Sequence, residues 1–389
     1  MQAQFHPSIR RLGLQSWSEM AGTDHPFSHF EYLAGLESTG VVGPLTAWQP
    51  HHLTLKDQNE NLLGVAPLYI KHDSWGEFIF DFAWAEAYHR YGYEYYPKLV
   101  CAIPYTPVPH RRLFTRDSTS LEPMLAALET ETESRDFSSA HLLFCHQEEA
   151  MAAEKRGWLI RHGYQYHWFN RGYSDFEDVL KDYRSKPRKN TRRERRSLDE
   201  QGLTCRVFEG SDISESVLDH FYRFYQKTFL QKSGFVPFTR DLFGLWREHL
   251  GEKLVFIGAF QGEQWVAGSI FFKSQDALFG RYWGTTQEYN HLHFELCYYQ
   301  AIDYAIRKGL SRVEPGAQGE FKIKRGFEPI PIYSAHWIRH PQFRLAIANF
   351  CKEEAAHMQQ VLPLLQRELP FSIPHPRQTI TVADEGQTE

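Results

Sequence analysis

WVAGSIFFK (residues 265–273), DALFGRYWG (276–284) and SRVEPGAQGEFKIKRGF (311–327) are the stretches that decide the fold. The first two are apolar runs rich in aromatic and β-branched residues and bounded by turn residues, which reads as strands. LVFIGAF (254–260) precedes them, and the Gly-containing turn at 261–264 makes a hairpin. A helix is predicted from Leu292 to Lys308, stopped by Gly309. A short strand near 312–314, the loop 315–319, a strand at 332–338 and an amphipathic helix from Gln342 to about Glu368 follow. Upstream, Asp212 and Glu215 have capping-box spacing. Apolar residues then recur at Val217, Leu218, Phe221, Tyr222, Phe224, Tyr225 and Phe229 with a 3.6-residue period, and a second helix is predicted from Thr239 to Leu250. The pattern is α/β (α+β), a mixed sheet flanked by helices.

The first half echoes this layout. Residues 63–71 resemble 266–273, Phe82-Ala83-Trp84 parallels Arg281-Tyr282-Trp283, and Tyr95-Tyr96 parallels Tyr298-Tyr299. Arg161-His162-Gly163-Tyr164 with His167-Trp168 parallels Arg325-Gly326-Phe327 with His336-Trp337. A duplicated domain accounts for these echoes. The expected organisation is an N-terminal domain at 1–180, a basic interdomain helix at 181–200, a C-terminal domain at 201–370 carrying the active cleft, and a fraying tail at 371–389.

Composition bounds the class. The 389 residues are 42% apolar and 15% aromatic, so the chain can bury ordinary cores and is not disordered. No apolar run approaches the ~18 residues of a spanning helix, and the first twenty residues lack a secretory apolar segment. Five scattered cysteines without a CxxC pair fit a reducing cytoplasm and argue against structural zinc. Of the net charge of −5, residues 181–196 contribute +7, leaving −12 elsewhere. One basic segment in an acidic chain implies a localised anion contact.

The chemistry-bearing residues concentrate between Phe279 and Phe327. Gly316, Gln318 and Gly319 form a loop that a ligand can approach closely, and Lys322, Lys324 and Arg325 follow as cations able to hold a phosphate or a developing oxyanion. Glu295, Glu314 and Glu320 are competing candidates for a general base, and nothing in the sequence separates them. His291, His293 and Glu295 alternate as ligands on a strand would, but without a supporting cluster no metal site is assigned. Walker, GxGxxG and GxSxG motifs are absent. If a helix starts near Pro187, then Arg188, Arg192, Arg195 and Arg196 share a face that can grip phosphates, overlapped by Lys189, Arg193 and Arg196.

VAGSIFFK (266–273), LFGRYWG (278–284) and CYYQAIDYAIRKGLSRVEPG (297–316) resemble the second domain of the FemAB-like family, which carries two GNAT-like acyltransferase domains in tandem. PFSHFEYLAGLESTG (26–40), residues 67–88 and 95–108, EPGAQGEFKIKRGF (314–327) and YSAHWI (333–338) resemble its bacterial branch for peptidoglycan biosynthesis or recognition. The resemblance spans about residues 15 to 368. It implies an N-acyltransferase acting on a primary amine of a small molecule or peptide. Phe321-Lys322 followed by Gly326 resembles the Fem-type Phe-Lys…Gly segment, which gives Lys322 a role against substrate phosphate or developing negative charge.

The acetyl-CoA signature Q/R-x-x-G-x-G/A is missing, which shifts the expected donor toward an aminoacyl-tRNA or another acyl donor, with acyl-CoA still open. The donor is a co-substrate; no bound cofactor is implied. The expected cleft uses Glu295 or Glu314 as base, Lys322 and Arg325 with amides near 316–319 at the oxyanion, and Tyr282 and Trp283 as walls. Tyr298 serves as proton donor, and Arg188, Arg192 and Arg195 contact a tRNA or another phosphate-bearing donor. The alternative is a non-catalytic protein that recognises a peptidoglycan precursor or peptide.

Overall fold

The computed structural model describes residues 1–317, 319–373 and 375–376. The strands are β1 (Gln2–His6), β2 (Trp48–Pro50), β3 (His52–Lys56), β4 (Leu62–Ala66), β5 (Leu68–Lys71), β6 (Lys98–Cys101), β7 (Phe114–Thr115) and β8 (Ser139–Cys145). After them come β9 (Leu159–Phe169), β10 (Leu203–Glu209), β11 (Leu254–Gln261), β12 (Gln264–Lys273), β13 (Ala277–Thr285), β14 (Arg312–Glu314) and β15 (Glu328–Ile338). Eleven form one mixed sheet in the order β10-β11-β12-β13-β14-β9-β15-β8-β6-β5-β2, and β1, β3, β4 and β7 form a separate sheet.

The near-continuous apolar runs arise because both sheet faces are covered. Phe256, Ile270 and Phe279 pack under the helices Glu215–Lys232 and Arg240–Leu250. Their neighbours Val255, Ile257 and Leu278 face Leu296, Tyr299 and Ile302 on the other side. The two halves also share a core. Tyr32 stacks on Trp246 at 4.7 Å, and Gly35 permits that approach, since a Cβ there would lie 3.1 Å from Leu242 Cδ1.

Two neighbouring pairs of the large sheet run parallel, β6 with β8 and β13 with β14, and each pair parts after three paired residues. The last strands of the halves are exchanged. β9 pairs with β14, β15 pairs with β8, and β9 and β15 pair with each other from Glu328↔His167 to His336↔Leu159. The sheet therefore continues across the basic segment. β9 and β15 are both eleven residues long, and His167-Trp168 and His336-Trp337 hold the same places in them.

Some local expectations need correction. Phe82 to Trp84 open a helix whereas Arg281 to Trp283 lie in β13, and Tyr95-Tyr96 precede a strand whereas Tyr298-Tyr299 are helical. These two echoes are not structural equivalents. Ser214, not Asp212, caps the helix Glu215–Lys232, accepting from the Val217 amide at 3.3 Å. The basic helix runs Ser185–Glu200. Residues 374 and 377–389 of the expected tail lie outside the described residues. Among the described residues no helix is long and apolar enough to cross a membrane.

Candidate active site

The fork between β13 and β14 is the place where part of the sequence-predicted set, Glu314, Gly316 and Lys322, converges. Beyond Phe279↔Glu314, no hydrogen bond among the described residues joins 281–285 to 315–319. The carboxyl end of parting parallel strands is where open α/β sheets receive ligands. The throat is lined by glycine: a Cβ on Gly316, whose φ is +86°, would stand 3.2 Å from the Gly280 carbonyl oxygen. The chain then enters a 3-10 turn, Glu320–Arg325, which folds Lys322 back toward the loop. Lys322 Nζ donates to the carbonyls of Gly316 (2.6 Å) and Ala317 (3.4 Å). Its side chain is 2% exposed, and among the described residues it has no carboxylate partner. Burial lowers its pKa to about 8.

Glu314 ends β14 inside the same fork. Its Oε1 accepts from Arg312 Nε at 2.9 Å, while its buried Oε2 has no hydrogen-bond partner and lies 3.8 Å from His167 Nε2. Burial raises the Glu314 carboxyl and drives His167 well below the usual imidazole range, so the ring is neutral. His167 Nδ1 is also buried without a partner. An unsatisfied carboxylate oxygen facing a neutral imidazole can take up a proton. The sequence offered His167 only through its echo with His336, because strand exchange brings it to β14 from the other half.

Glu295 is differently placed. It opens a π-helical turn, Glu295–Tyr299, and the wider turn lets Gln300 Nε2 reach back to Glu295 Oε1 at 2.8 Å. Arg195 donates to the same oxygen at 3.0 Å, and Ser269 satisfies the Leu296 carbonyl at 3.2 Å. Burial raises the Glu295 carboxyl, and its Oε2 is also buried without a partner, yet Oε1 is tied under the basic helix by Arg195 and Gln300. Glu320 lies in the wall of a neighbouring cavity of about 350 Å³.

Trp283, Tyr298 and Phe321 gather around His293, with ring centroids 4.6, 5.3 and 6.0 Å from it. Burial, followed by Lys232, Lys322 and Arg325, lowers His293 to about 4. Burial also raises the Tyr298 hydroxyl, which stays protonated. Tyr282 does not wall this side. Strand residues alternate in direction, and Tyr282 packs on Tyr225 (5.0 Å) and Phe238 (5.6 Å) across the sheet. Arg325 is an internal anchor, with Nη2 2.9 Å from both Glu194 oxygens and the guanidinium 3.4 Å over Phe294. Gln318 lies outside the described residues.

The expected anion face of the basic helix is tied up in contacts within the chain, half-buried at Arg188 and Arg195 and exposed at Arg192. Arg195 donates to Glu295 and, at 2.6 Å, to Asp303, Arg192 pairs with Glu177 at 2.5 Å, and Arg188 donates to the Tyr183 carbonyl at 2.8 Å. Lys186, Lys189, Arg193 and Arg196 form the exposed stripe instead, without ion pairs among the described residues. No group of three metal-ligating side chains occurs among the described residues.

The FemAB-like family model, described as peptidoglycan biosynthesis/recognition, matches residues 8–373. No curated protein matches the chain. Among solved structures, L-PGS from Bacillus licheniformis superposes with a TM-score of 0.53 at 10% identity, over 90% of this chain and 99% of that one. FemX superposes at 0.50 and 10% identity, over 90% of this chain and 100% of FemX. A protein of unknown function from Bacteroides thetaiotaomicron gives 0.51 at 9% identity, over 87% and 100%. These likenesses carry the fold alone, an α/β chain built on one large mixed sheet.

Proposed function

The chain belongs to the FemAB-like family, and from that premise we propose that it is an N-acyltransferase of peptidoglycan metabolism, moving an acyl or aminoacyl group onto a primary amine at the β13–β14 fork. The observation that carries this reading is Lys322: a buried ammonium held, among the described residues, only by two carbonyls, at the point where parallel strands part. A buried charge without a counter-charge is costly. A developing oxyanion or a donor phosphate would supply the missing partner.

In this scheme the amine nitrogen attacks the donor carbonyl, forming the N–C bond and a tetrahedral oxyanion next to Lys322. Glu314, with His167 beside it, receives the amine proton. The oxyanion collapses and the bond to the leaving group breaks. Tyr298 protonates the leaving group and regains a proton from solvent, to which Glu314 releases the one it took. Holding the two substrates together supplies much of the rate. The donor is an acyl-CoA or an aminoacyl-tRNA. The exposed stripe Lys186, Lys189, Arg193 and Arg196, rather than Arg188, Arg192 and Arg195, is available for its phosphates.

The test supplies labelled acetyl-CoA or charged tRNA together with a peptidoglycan-precursor peptide bearing a free amine, and measures transfer. Transfer is expected from one donor class and lost in Lys322→Ala. Wild-type rates in that variant would remove Lys322 from the mechanism. Precursor binding with no transfer from any donor would make the chain a recognition protein.

A further inference from the structure

The cavity of about 350 Å³ beside the fork is lined from both halves of the chain. Its walls carry five aromatic rings, Phe78, Phe80, Phe144, Tyr164 and Tyr166, and one carboxylate, Glu320. No Lys, Arg or His lines it, and Glu320 makes no ion pair among the described residues. The Tyr166 hydroxyl is buried there without a hydrogen-bond partner. Two of the rings are held by unusual backbone: Phe78 has φ +61° and Phe144 φ +55°. Bulky residues rarely adopt the left-handed region, and such outliers concentrate at ligand sites.

The loop that presents Phe78 and Phe80 is clamped from behind. Lys98, fully buried, donates to Glu77 at 2.8 Å and to Asp81 at 2.5 Å, and Arg161 Nη1 donates to the Phe80 carbonyl at 2.9 Å. Phe78 and Phe80 are nevertheless 38% and 54% exposed, so the rings form a fixed lip open to solvent.

We propose that this cavity binds an alkylammonium group, the charged arm of the amine-bearing acceptor, between its ring faces and the Glu320 carboxylate. Ring faces attract organic cations, and they do so most strongly where water is excluded. A single carboxylate with no cation among the described lining residues adds the same preference, and the Tyr166 hydroxyl offers a polar contact. The volume is at the small end for ligand pockets and suits one side chain, not a nucleotide. Naming the ligand as the acceptor rests on the transferase reading; the recognition of an ammonium does not.

The experiment is calorimetric titration of the full chain, without donor, with Nα-acetyl-lysine methylamide and its uncharged isostere Nα-acetyl-norleucine methylamide. The lysine derivative is expected to bind at least about tenfold more tightly. Glu320→Gln and Phe80→Ala, both at exposed positions, are each expected to weaken it by about three- to tenfold, with an unchanged melting temperature. Lys322→Ala is expected to leave this binding intact. Equal affinity for the two ligands, no saturable binding of the lysine derivative, or wild-type affinity in Glu320→Gln would overturn the proposal. Retained binding with no transfer from any donor would overturn the transferase reading alone.

Discussion

The sheet contains the same fork twice, and the two copies have been used differently. In the first half, the gap beyond β6 and β8 is filled by the segment after β6. Arg112 Nε donates to the Leu143 carbonyl at 2.8 Å and the His110 amide donates to the Phe144 carbonyl at 3.0 Å, so the exposed edge of β8 is satisfied. The guanidinium also reaches the Val108 and His110 carbonyls, at 2.8 and 3.1 Å. In the second half, glycines and a lone ammonium occupy the equivalent place. The histidines repeat the contrast. His336 and His141 bond to each other at 2.6 Å, and Ser334 and Ser139 take their remaining nitrogens. At the corresponding position His167 meets Glu314, and each keeps an unpartnered atom. Satisfied polar groups hold a structure together; unsatisfied ones are poised for a ligand. Although His25 Nδ1 and His146 Nε2 near the first fork are also buried without partners, it is at the second that an unpartnered carboxylate oxygen faces a neutral imidazole. Chemistry is therefore expected in the second fork alone.

The largest test of that asymmetry exchanges the two buried cations. Lys322→Ala should lower transfer by about a hundred- to a thousandfold, the loss expected for one preorganised oxyanion donor, with the fold intact by circular dichroism. Arg112→Ala should instead leave several carbonyls without donors and destabilise by roughly 3–5 kcal/mol, with transfer falling only as folded protein is lost. If Arg112→Ala stayed folded and inactive, the first fork would be catalytic after all.

Glu314→Gln comes next, with an expected loss of about a hundredfold in kcat and little change in KM. Glu295→Gln, at the carboxylate tied to Arg195 and Gln300, should act on stability and spare kcat. The opposite outcome would return the base to Glu295.

The pH profile gives a smaller effect. Burial lowers Lys322 to about 8, so the ammonium is lost as pH rises through that value. Transfer should then fall by about tenfold per unit above pH 8, and Lys322→Arg should abolish this limb in whatever activity it retains. Stability should move the other way. Between about 8 and the ordinary 10.5 the unfolded chain binds the additional proton, so burial of Lys322 costs less as pH rises.

The fold was legible because strands covered on both faces read as unbroken apolar runs, as in LVFIGAF and WVAGSIFFK. Lys322, Glu314 and Gly316 were legible because they sit on one short stretch that ends a strand. His167 was not, since the exchange of β9 and β15 joins residues 147 positions apart through pairing that no local pattern records. Nor was the inner face of the basic helix. Which arginines are taken up in ion pairs depends on Glu177, Glu295 and Asp303, all outside that helix. A 3.6-residue period also passes over the π-helical turn, which carries one residue more between bonded partners.

The smallest expected change in transfer belongs to the satisfied histidine pair. His141 and His336 are buried and held well below the usual imidazole range by desolvation, followed by Lys98 for His141 and by His141 for His336. Both are neutral in the folded chain, whereas the unfolded chain protonates them near 6.5. The unfolded state therefore binds more protons below that pH. Stability is fully present above it and declines as pH falls, by about 1.4 kcal/mol per unit for each histidine. His141→Asn with His336→Gln should flatten the acid limb of a pH-stability curve by up to twice that slope, while transfer per folded molecule at neutral pH stays unchanged. The corresponding substitution at His167 should flatten it by one histidine's share and also reduce transfer. Loss of activity from the His141–His336 pair would mean that the two forks are coupled rather than divided between scaffold and chemistry.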